Sequence, residues 1–243
     1  MLKFKTHLNN KNNEWLTFLH GFGGSSNIWY KQVRELSKHY NLLFIDLRGH
    51  GKSNNIRLDS DFNLLTACED IINVLKFLKI KNSHFIGISF GTLLIFKLMQ
   101  THKNYINKSI LAGAITSFNN FTRFLLLCLN LFKSILPNMF LYKLFAYIIM
   151  PKLNHKESRL IFINEAKVID RKVFNQWLKL IPDLKNIIIH LKPSNFNKYI
   201  LFLSGKDDYL FCEDAREFAS KNKFLSFYSI KGAGHVVNID KPS

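Results

Sequence analysis

The chain has 243 residues, of which 47% are hydrophobic and 14% aromatic. This composition supports one large domain with a sizeable core and excludes a disordered chain. The net charge is +17, from 34 Lys and Arg against 17 Asp and Glu, and it is consistent with either a compositional bias or an acidic partner. Because the basic residues form no dense block, the sequence argues against nucleic acid as that partner.

Neither a disulfide framework nor a membrane span is expected. Cys68, Cys128 and Cys212 are widely spaced and form no C-x-x-C pair, so no disulfide and no zinc site is predicted, and a reducing cytoplasmic location fits best. The N-terminal residues contain no apolar core of a signal peptide. The longest apolar stretch, residues 124–136, contains Asn130 and Lys133 and is too short to cross a bilayer.

Apolar runs that favour strands alternate with helical patterns in the first half of the chain. The continuous apolar character of the strands indicates a parallel sheet that is covered by helices on both faces. Strands are predicted over 14–20, 40–47, 83–88 and 107–114, and helices over 26–39 (with Ser26 as its N-cap), 64–80 and 92–102.

The alternation stops at about residue 116 and resumes at 198. Between these points the pattern is helical, over 121–136, 140–150, 156–169 and 172–181, with breaks at Pro137, Pro151 and Asp170. A strand over 198–205, a helix near 213–221 and a strand over 224–230 then follow. We predict one α/β core, formed by residues 1–115 and 199–243, that carries a helical insertion of residues 116–198.

The segment GISFG, residues 87–91, places Ser89 between Gly87 and Gly91. A sharp turn from a strand into a helix would expose the serine hydroxyl and aim the helix N-terminus at developing negative charge. Small residues are needed on both sides because the backbones crowd there. The alternative is an ordinary glycine-bounded loop, since G-x-S-x-G alone also occurs by chance.

A glycine-rich loop, HGFGGS at residues 20–25, follows the first predicted strand and opens a helix. It could turn backbone N–H groups toward a pocket. A phosphate-binding loop is the competing interpretation, but neither G-x-x-x-x-G-K-[ST] nor G-x-G-x-x-G is present. We therefore favour an oxyanion loop that includes Gly21 and Gly23.

Two later segments supply a candidate acid and base. Asp207 and Asp208 follow a predicted strand, where a carboxylate is well placed to face the active-site side of a parallel sheet. Gly232 and Gly234 free a loop that presents His235. The order serine, aspartate, histidine along the chain is the one expected for an enzyme with a nucleophilic serine on a strand-to-helix turn.

Four segments together resemble the α/β-hydrolase superfamily over essentially the whole chain: HGFGGS, DLRGHGKS (46–53), GISFG, and the pair GKDD with GAGH. The resemblance implies that Ser89 is the nucleophile, His235 the base and Asp208, rather than Asp207, the acid. It implies that the backbone N–H groups of Phe22 and Phe90 form the oxyanion hole. In the loop at 46–53, Asp46 and His50 are expected to be structural, and no cofactor or metal is implied.

The sequence departs from the pattern of this superfamily at two places. Thr92 stands where many relatives have a third glycine, with little consequence expected. The chain also stops at Ser243, where relatives usually continue into a last helix, and the two expectations are a truncated chain or a different packing at this end.

By the same resemblance, the insertion is expected to form a lid over the site. It contains 13 Lys and Arg and four acidic residues, a net charge of +9, and many Phe and Leu. The apolar residues either pack the lid onto the core or line an acyl channel. Some members of the superfamily cleave methyl esters of acyl chains on acyl carrier protein, which is acidic, and a basic lid would attract it. The expected substrate is a small-molecule or carrier-linked ester, and carrier-linked cleavage would weaken with salt.

Two other functions remain open at this stage. One is a C–C lyase that resembles the menaquinone-pathway synthase on the same triad, although the arginine that such relatives often carry soon after the serine is absent before Lys97. The other is a binding protein with a hydrolase fold, which would have less reason to retain the triad residues and the glycine loop.

Overall fold

A computed structural model describes residues 1–9 and 14–243. Seven strands form one sheet in the order β1-β3-β2-β4-β5-β6-β7. Strand β1 pairs with β3 in antiparallel fashion, and the other neighbours pair in parallel. The strands are β1 Phe4–His7, β2 Trp15–Leu19, β3 Asn41–Ile45, β4 Ser83–Ile88, β5 Ile106–Ala112, β6 Ile200–Gly205 and β7 Leu225–Ile230.

The helices occupy both faces of this sheet and the segment between β5 and β6. Their bounds are α1 Tyr30–Leu36, α2 Leu64–Phe77, α3 Phe90–Thr101, α4 Asn120–Phe132, α5 Asn138–Ile149, α6 Lys156–Glu165, α7 Arg171–Leu178, α8 Ile181–Ile189, α9 Cys212–Ala219 and α10 Val237–Asp240.

The central strands are buried on both faces, as the sequence predicts for a covered parallel sheet. All five residues of β3 are buried. Leu43 and Ile45 belong to one apolar cluster, whereas Leu42 and Phe44 belong to a second one. Because alternate residues of a strand point to opposite faces, these two clusters are the two layers of core. The expected α/β architecture is confirmed.

Several local features differ from the sequence expectations. The first helix is capped by Ser25, whose side chain accepts from the Asn27 N–H, and not by Ser26. The predicted helix 26–39 is a short 3₁₀ turn followed by α1. Strand β1 and the separate helix α8, with Pro182 in its first turn, were not predicted. Helices α4 to α8 fill the segment that was predicted to be helical.

In the described part of the chain, no helix combines the length and the apolar character that crossing a bilayer requires.

Candidate active site

The candidate residues follow the carboxyl ends of four strands. The glycine loop follows β2, Ser89 follows β4, Asp208 lies three residues after β6, and His235 lies five residues after β7. These strands run parallel, so their carboxyl ends meet at one edge of the sheet. The topology therefore brings together residues that are up to 215 positions apart in the chain.

Ser89 occupies a strained turn between β4 and α3. Its backbone has φ 52° and ψ −118°, a conformation that residues other than glycine seldom adopt. The Ser89 N–H donates to the carbonyl of Ala112, and the Thr92 hydroxyl donates to the carbonyl of Ser89. These bonds hold the turn from both sides.

The glycines at 87 and 91 are required by close backbone approaches. A Cβ on Gly91 would lie 2.4 Å from the carbonyl oxygen of Leu19. A Cβ on Gly87 would lie 2.6 Å from Ile95 Cδ1 and 2.9 Å from the carbonyl of Gly91. Real Cβ atoms do not approach other atoms so closely, so the turn is possible only with hydrogen at both positions.

Thr92 has a structural role that the sequence did not indicate. It is fully buried, and its hydroxyl donates to the Ser89 carbonyl at 2.6 Å while accepting from the Ile115 N–H at 3.4 Å. A glycine at this position would leave both groups without that partner. The departure from the common pattern therefore ties the Ser89 turn to the chain after β5.

Ser89, His235 and Asp208 form one hydrogen-bonded line. Ser89 Oγ lies 2.8 Å from His235 Nε2, and His235 Nδ1 lies 2.8 Å from Asp208 Oδ2. An ionised carboxylate can only accept, so Nδ1 carries the proton and Nε2 is free to accept from the serine hydroxyl. Asp208 and His235 are almost completely buried, whereas Ser89 is partly exposed.

Asp207, the neighbour of Asp208, has different contacts. Its carboxylate forms an ion pair with Lys152 at 2.6 Å, and the hydrogen bond from Lys152 lowers the pKa of Asp207. Asp208, and not Asp207, is therefore the carboxylate in hydrogen-bond contact with His235.

Two amides of the glycine loop already have hydrogen-bond acceptors. The Gly23 N–H donates to His50 Nε2, and the Gly24 N–H donates to the carbonyl of Gly21. The Phe22 N–H has no such partner among the described residues, and Phe22 borders the same cavity as Ser89 and Phe90. Phe90 is the first residue of α3, so its N–H points out of the helix end.

Two buried histidines fix this loop. His20 Nδ1 donates to the Gly21 carbonyl and His50 Nδ1 to the Arg48 carbonyl, so each Nε2 accepts from a backbone N–H. Burial, followed by repulsion from His20, lowers the pKa of His50 to about 3. Burial likewise lowers the pKa of His20. Both rings therefore stay neutral, and the expected structural role of His50 consists in holding the Gly23 amide.

The lowered pKa of His50 predicts how the stability of the protein depends on pH. Its pKa in the folded state is below the unfolded value of 6.5, so its contribution is complete above pH 6.5 and is lost as the pH falls toward 3. We expect the free energy of unfolding to drop about 3 kcal/mol more between pH 7 and pH 4 in the wild type than in His50→Gln, whose amide oxygen can still accept. Urea titrations between pH 7 and pH 4 measure this free energy. If it fell equally with pH in the two proteins, the prediction would be contradicted.

Residues of the segment between β5 and β6 reach the site in ways that the sequence did not suggest. The Tyr142 hydroxyl donates to the Phe22 carbonyl at 2.6 Å. The ring of His155 is completely buried, with Nε2 at 3.6 Å from Asp207 and 3.9 Å from Asp240. A Cβ on Gly234 would lie 2.7 Å from this ring. Only the burial of His155, which no pattern in the sequence reveals, could have indicated this contact.

A deep apolar cavity of about 330 Å³ opens beside Ser89. Its walls are aromatic and aliphatic, and they come from the core and from helices α4, α5, α7 and α8. This volume lies within the range of small-molecule sites in proteins. An apolar group attached to a reacting carbon at Ser89 would be covered by Leu129, Phe174, Trp177 and their neighbours.

A sequence model of the α/β-hydrolase fold matches residues 14–242, nearly the whole chain. The chain belongs to the α/β-hydrolase family. The resemblance inferred from the four sequence segments is confirmed.

The proteins that this chain resembles in sequence are named for different activities. The chain is 35% identical over 78 residues to 3-oxoadipate enol-lactonase 1 of Acinetobacter baylyi, which is 32% of this chain and 28% of that protein. It is 31% identical over 103 residues to the pimeloyl-[acyl-carrier protein] methyl ester esterase of Aeromonas salmonicida, 42% of this chain and 39% of that one. The chain thus matches about a third of the length of these relatives.

Among solved structures, an esterase from Exiguobacterium antarcticum superposes with a TM-score of 0.83. The match covers 99% of this chain and 91% of the esterase at 20% identity. At this identity the likeness concerns the α/β-hydrolase fold alone.

Proposed function

We propose that the protein is a serine hydrolase that cleaves carboxylic esters with an apolar acyl group. The observation that carries this proposal is the hydrogen-bonded line from Ser89 through His235 to Asp208 at one end of an apolar cavity. The names of similar proteins, an enol-lactonase and a methyl ester esterase, support hydrolysis of an ester bond.

In the proposed mechanism, Ser89 Oγ attacks the ester carbonyl while His235 Nε2 takes the serine proton. Asp208 keeps the other ring proton on Nδ1 and stabilises the imidazolium that forms. His235 then donates the proton to the leaving alcohol. Water attacks the resulting acyl-enzyme by the same route and regenerates Ser89.

The negative charge of the tetrahedral intermediate needs donors that are already in position. We assign this role to the N–H groups of Phe90 and Phe22. The choice of Phe22 is supported by its two neighbours in the loop, because the N–H groups of Gly23 and Gly24 already donate to other acceptors. The N-terminus of α3 adds its positive dipole end. One such donor typically accounts for a 10²- to 10³-fold rate effect.

The segment 116–198 would act as the lid of this site, since α4, α5, α7 and α8 supply most of the cavity wall. The apolar wall favours an acyl chain over a polar substrate. Cleavage of a methyl ester on an acyl chain of acyl carrier protein stays a prediction, supported by the net lid charge of +9 and by the similarity to one such esterase.

An acyl-length series tests the proposal. We expect kcat/KM toward p-nitrophenyl esters to rise about fourfold per methylene from acetate upward, until the cavity is filled, because each buried methylene contributes about 0.8 kcal/mol. Leu129→Trp should shift the optimum to shorter chains, since Leu129 lines the cavity.

Leu127→Trp is the matched control for this series, because Leu127 lies on the same helix and is 56% exposed. It should leave the acyl-length profile unchanged. Equal profiles for the two tryptophan variants, or a flat profile in the wild type, would contradict an acyl pocket at this place.

A further inference from the structure

Helices α4 and α5 carry apolar side chains on their solvent side as well as on the side that faces the cavity. Phe124, Leu127 and Leu131 recur at helical spacing on α4, and Phe140, Leu144 and Tyr147 recur on α5. Each of the six is between 50% and 59% exposed. We call these six residues the outer face. Exposed apolar side chains that recur along one side of a helix are a candidate interaction site.

The outer face is connected to the cavity. Leu144 on α5 and Phe132 at the end of α4 both line the cavity and are 50% and 44% exposed. Leu144 therefore belongs both to the outer face and to the cavity wall. An apolar chain that entered beside Leu144 would reach Ser89 along apolar side chains.

The two helices that carry the outer face are positively charged. Arg123, Lys133 and Lys143 lie on or directly after the two helices, and the sequence contains no Asp or Glu between Gly113 and Glu157. A surface with an apolar centre and cationic edges matches a lipid interface with anionic headgroups, where each nearby Lys or Arg strengthens binding. A second copy of this chain would instead bring two lids of net charge +9 together.

We propose that the outer face docks on anionic lipid surfaces and that the acyl chain of the substrate enters the cavity from the lipid. Docking itself does not need the chemistry of Ser89. The entry of the acyl chain rests on the ester hydrolysis proposed above.

Vesicle flotation of the Ser89→Ala protein tests docking without consuming lipid. The vesicles are phosphatidylcholine alone or an equal mixture of phosphatidylcholine and phosphatidylglycerol. We expect binding to the anionic vesicles and much weaker binding to the neutral ones. Substituting Phe124, Leu127 and Leu131 together with Gln should weaken anionic binding about 100-fold. Lys133→Gln and Lys143→Gln should each weaken it about fivefold.

The matched control replaces Leu65, Phe77 and Tyr228 with Gln, three exposed apolar residues outside the segment 116–198. It should bind vesicles like the parent protein. For the activity assay, the substitutions of Phe124, Leu127 and Leu131 are made in the protein that retains Ser89. This variant should hydrolyse soluble p-nitrophenyl esters at nearly the wild-type rate, which separates a docking defect from a catalytic one. Unchanged melting curves verify that all variants fold.

Three results would overturn the proposal. The first is that the protein does not bind anionic vesicles, or that the outer-face variant and the control variant bind them equally well. Another is a dimer, measured by sedimentation, that disappears in the outer-face variant, because a second copy would then be the occupant. The third is binding of purified acyl carrier protein that is lost in the outer-face variant while vesicles do not bind at all.

Discussion

Replacing Ser89 with alanine is expected to reduce kcat toward p-nitrophenyl butyrate by about 10⁴- to 10⁶-fold, since triad residues act as a unit. The variant should fold normally, because the Ser89 backbone supplies the bonds to Ala112 and Thr92 and only the hydroxyl is removed. A fluorophosphonate probe should label the wild type and not the variant.

Ser60→Ala is a suitable control, because Ser60 is exposed and lies outside the cavity wall. It should keep full activity and full labelling. Equal rates in Ser89→Ala and the wild type would show that Ser89 is not the nucleophile. Rates no faster than spontaneous hydrolysis of the ester in both proteins would favour the binding-protein alternative.

Asp208→Asn is expected to lower kcat by about 10³- to 10⁴-fold. The amide NH₂ of asparagine donates to Nδ1, so the ring proton moves to Nε2, which can then no longer accept the serine proton. The loss should appear in kcat much more than in KM, because Asp208 is buried behind His235 and does not border the cavity.

Asp207→Asn is the matched substitution one residue away. Asp207 pairs with Lys152, which is largely exposed, and such pairs contribute about 0 to 1 kcal/mol to stability. We expect kcat within a few-fold of the wild type and a small decrease in melting temperature. If Asp207→Asn were the more damaging of the two, the assignment of the acid to Asp208 would be wrong.

Much of the core could be predicted because its signals are local. The strand before Ser89, with Gly87 and Gly91 beside it, combines an apolar run, two glycines and a helical pattern within about 20 residues. The order of the acid and the base along the chain then follows from the topology, since parallel strands bring their carboxyl ends to one edge.

Features that depend on pairing across the sheet or between distant segments could not be predicted. Strand β1 has only four residues, none of them fully buried, and it exists because β3 offers an edge for antiparallel pairing. The sequence predicts Ser26 as the N-cap, whereas Ser25 takes this position in an extended conformation, with φ −147° and ψ 178°. Helix α8 is separated from α7 by two residues and has Pro182 in its first turn, where no amide donor is needed.

The residues that support the site were missed for a similar reason. Tyr142 and His155 lie at least 50 residues from the parts of the site that they contact. A tyrosine or a histidine in an apolar helical segment is compatible with many roles. Their function as supports depends on burial and distance, which only the folded chain provides.

The adjacency of Asp207 and Asp208 has a mechanical consequence. One carboxylate is held by Lys152 from the segment between β5 and β6, and the other holds His235. From the same segment, His155 packs on Gly234, next to His235. The segment between β5 and β6 therefore contacts the residue before the acid and the residue before the base. Because these contacts lie one residue from the acid and one residue from the base, we expect Lys152→Ala to change kcat by a few-fold at most, as for Asp207→Asn.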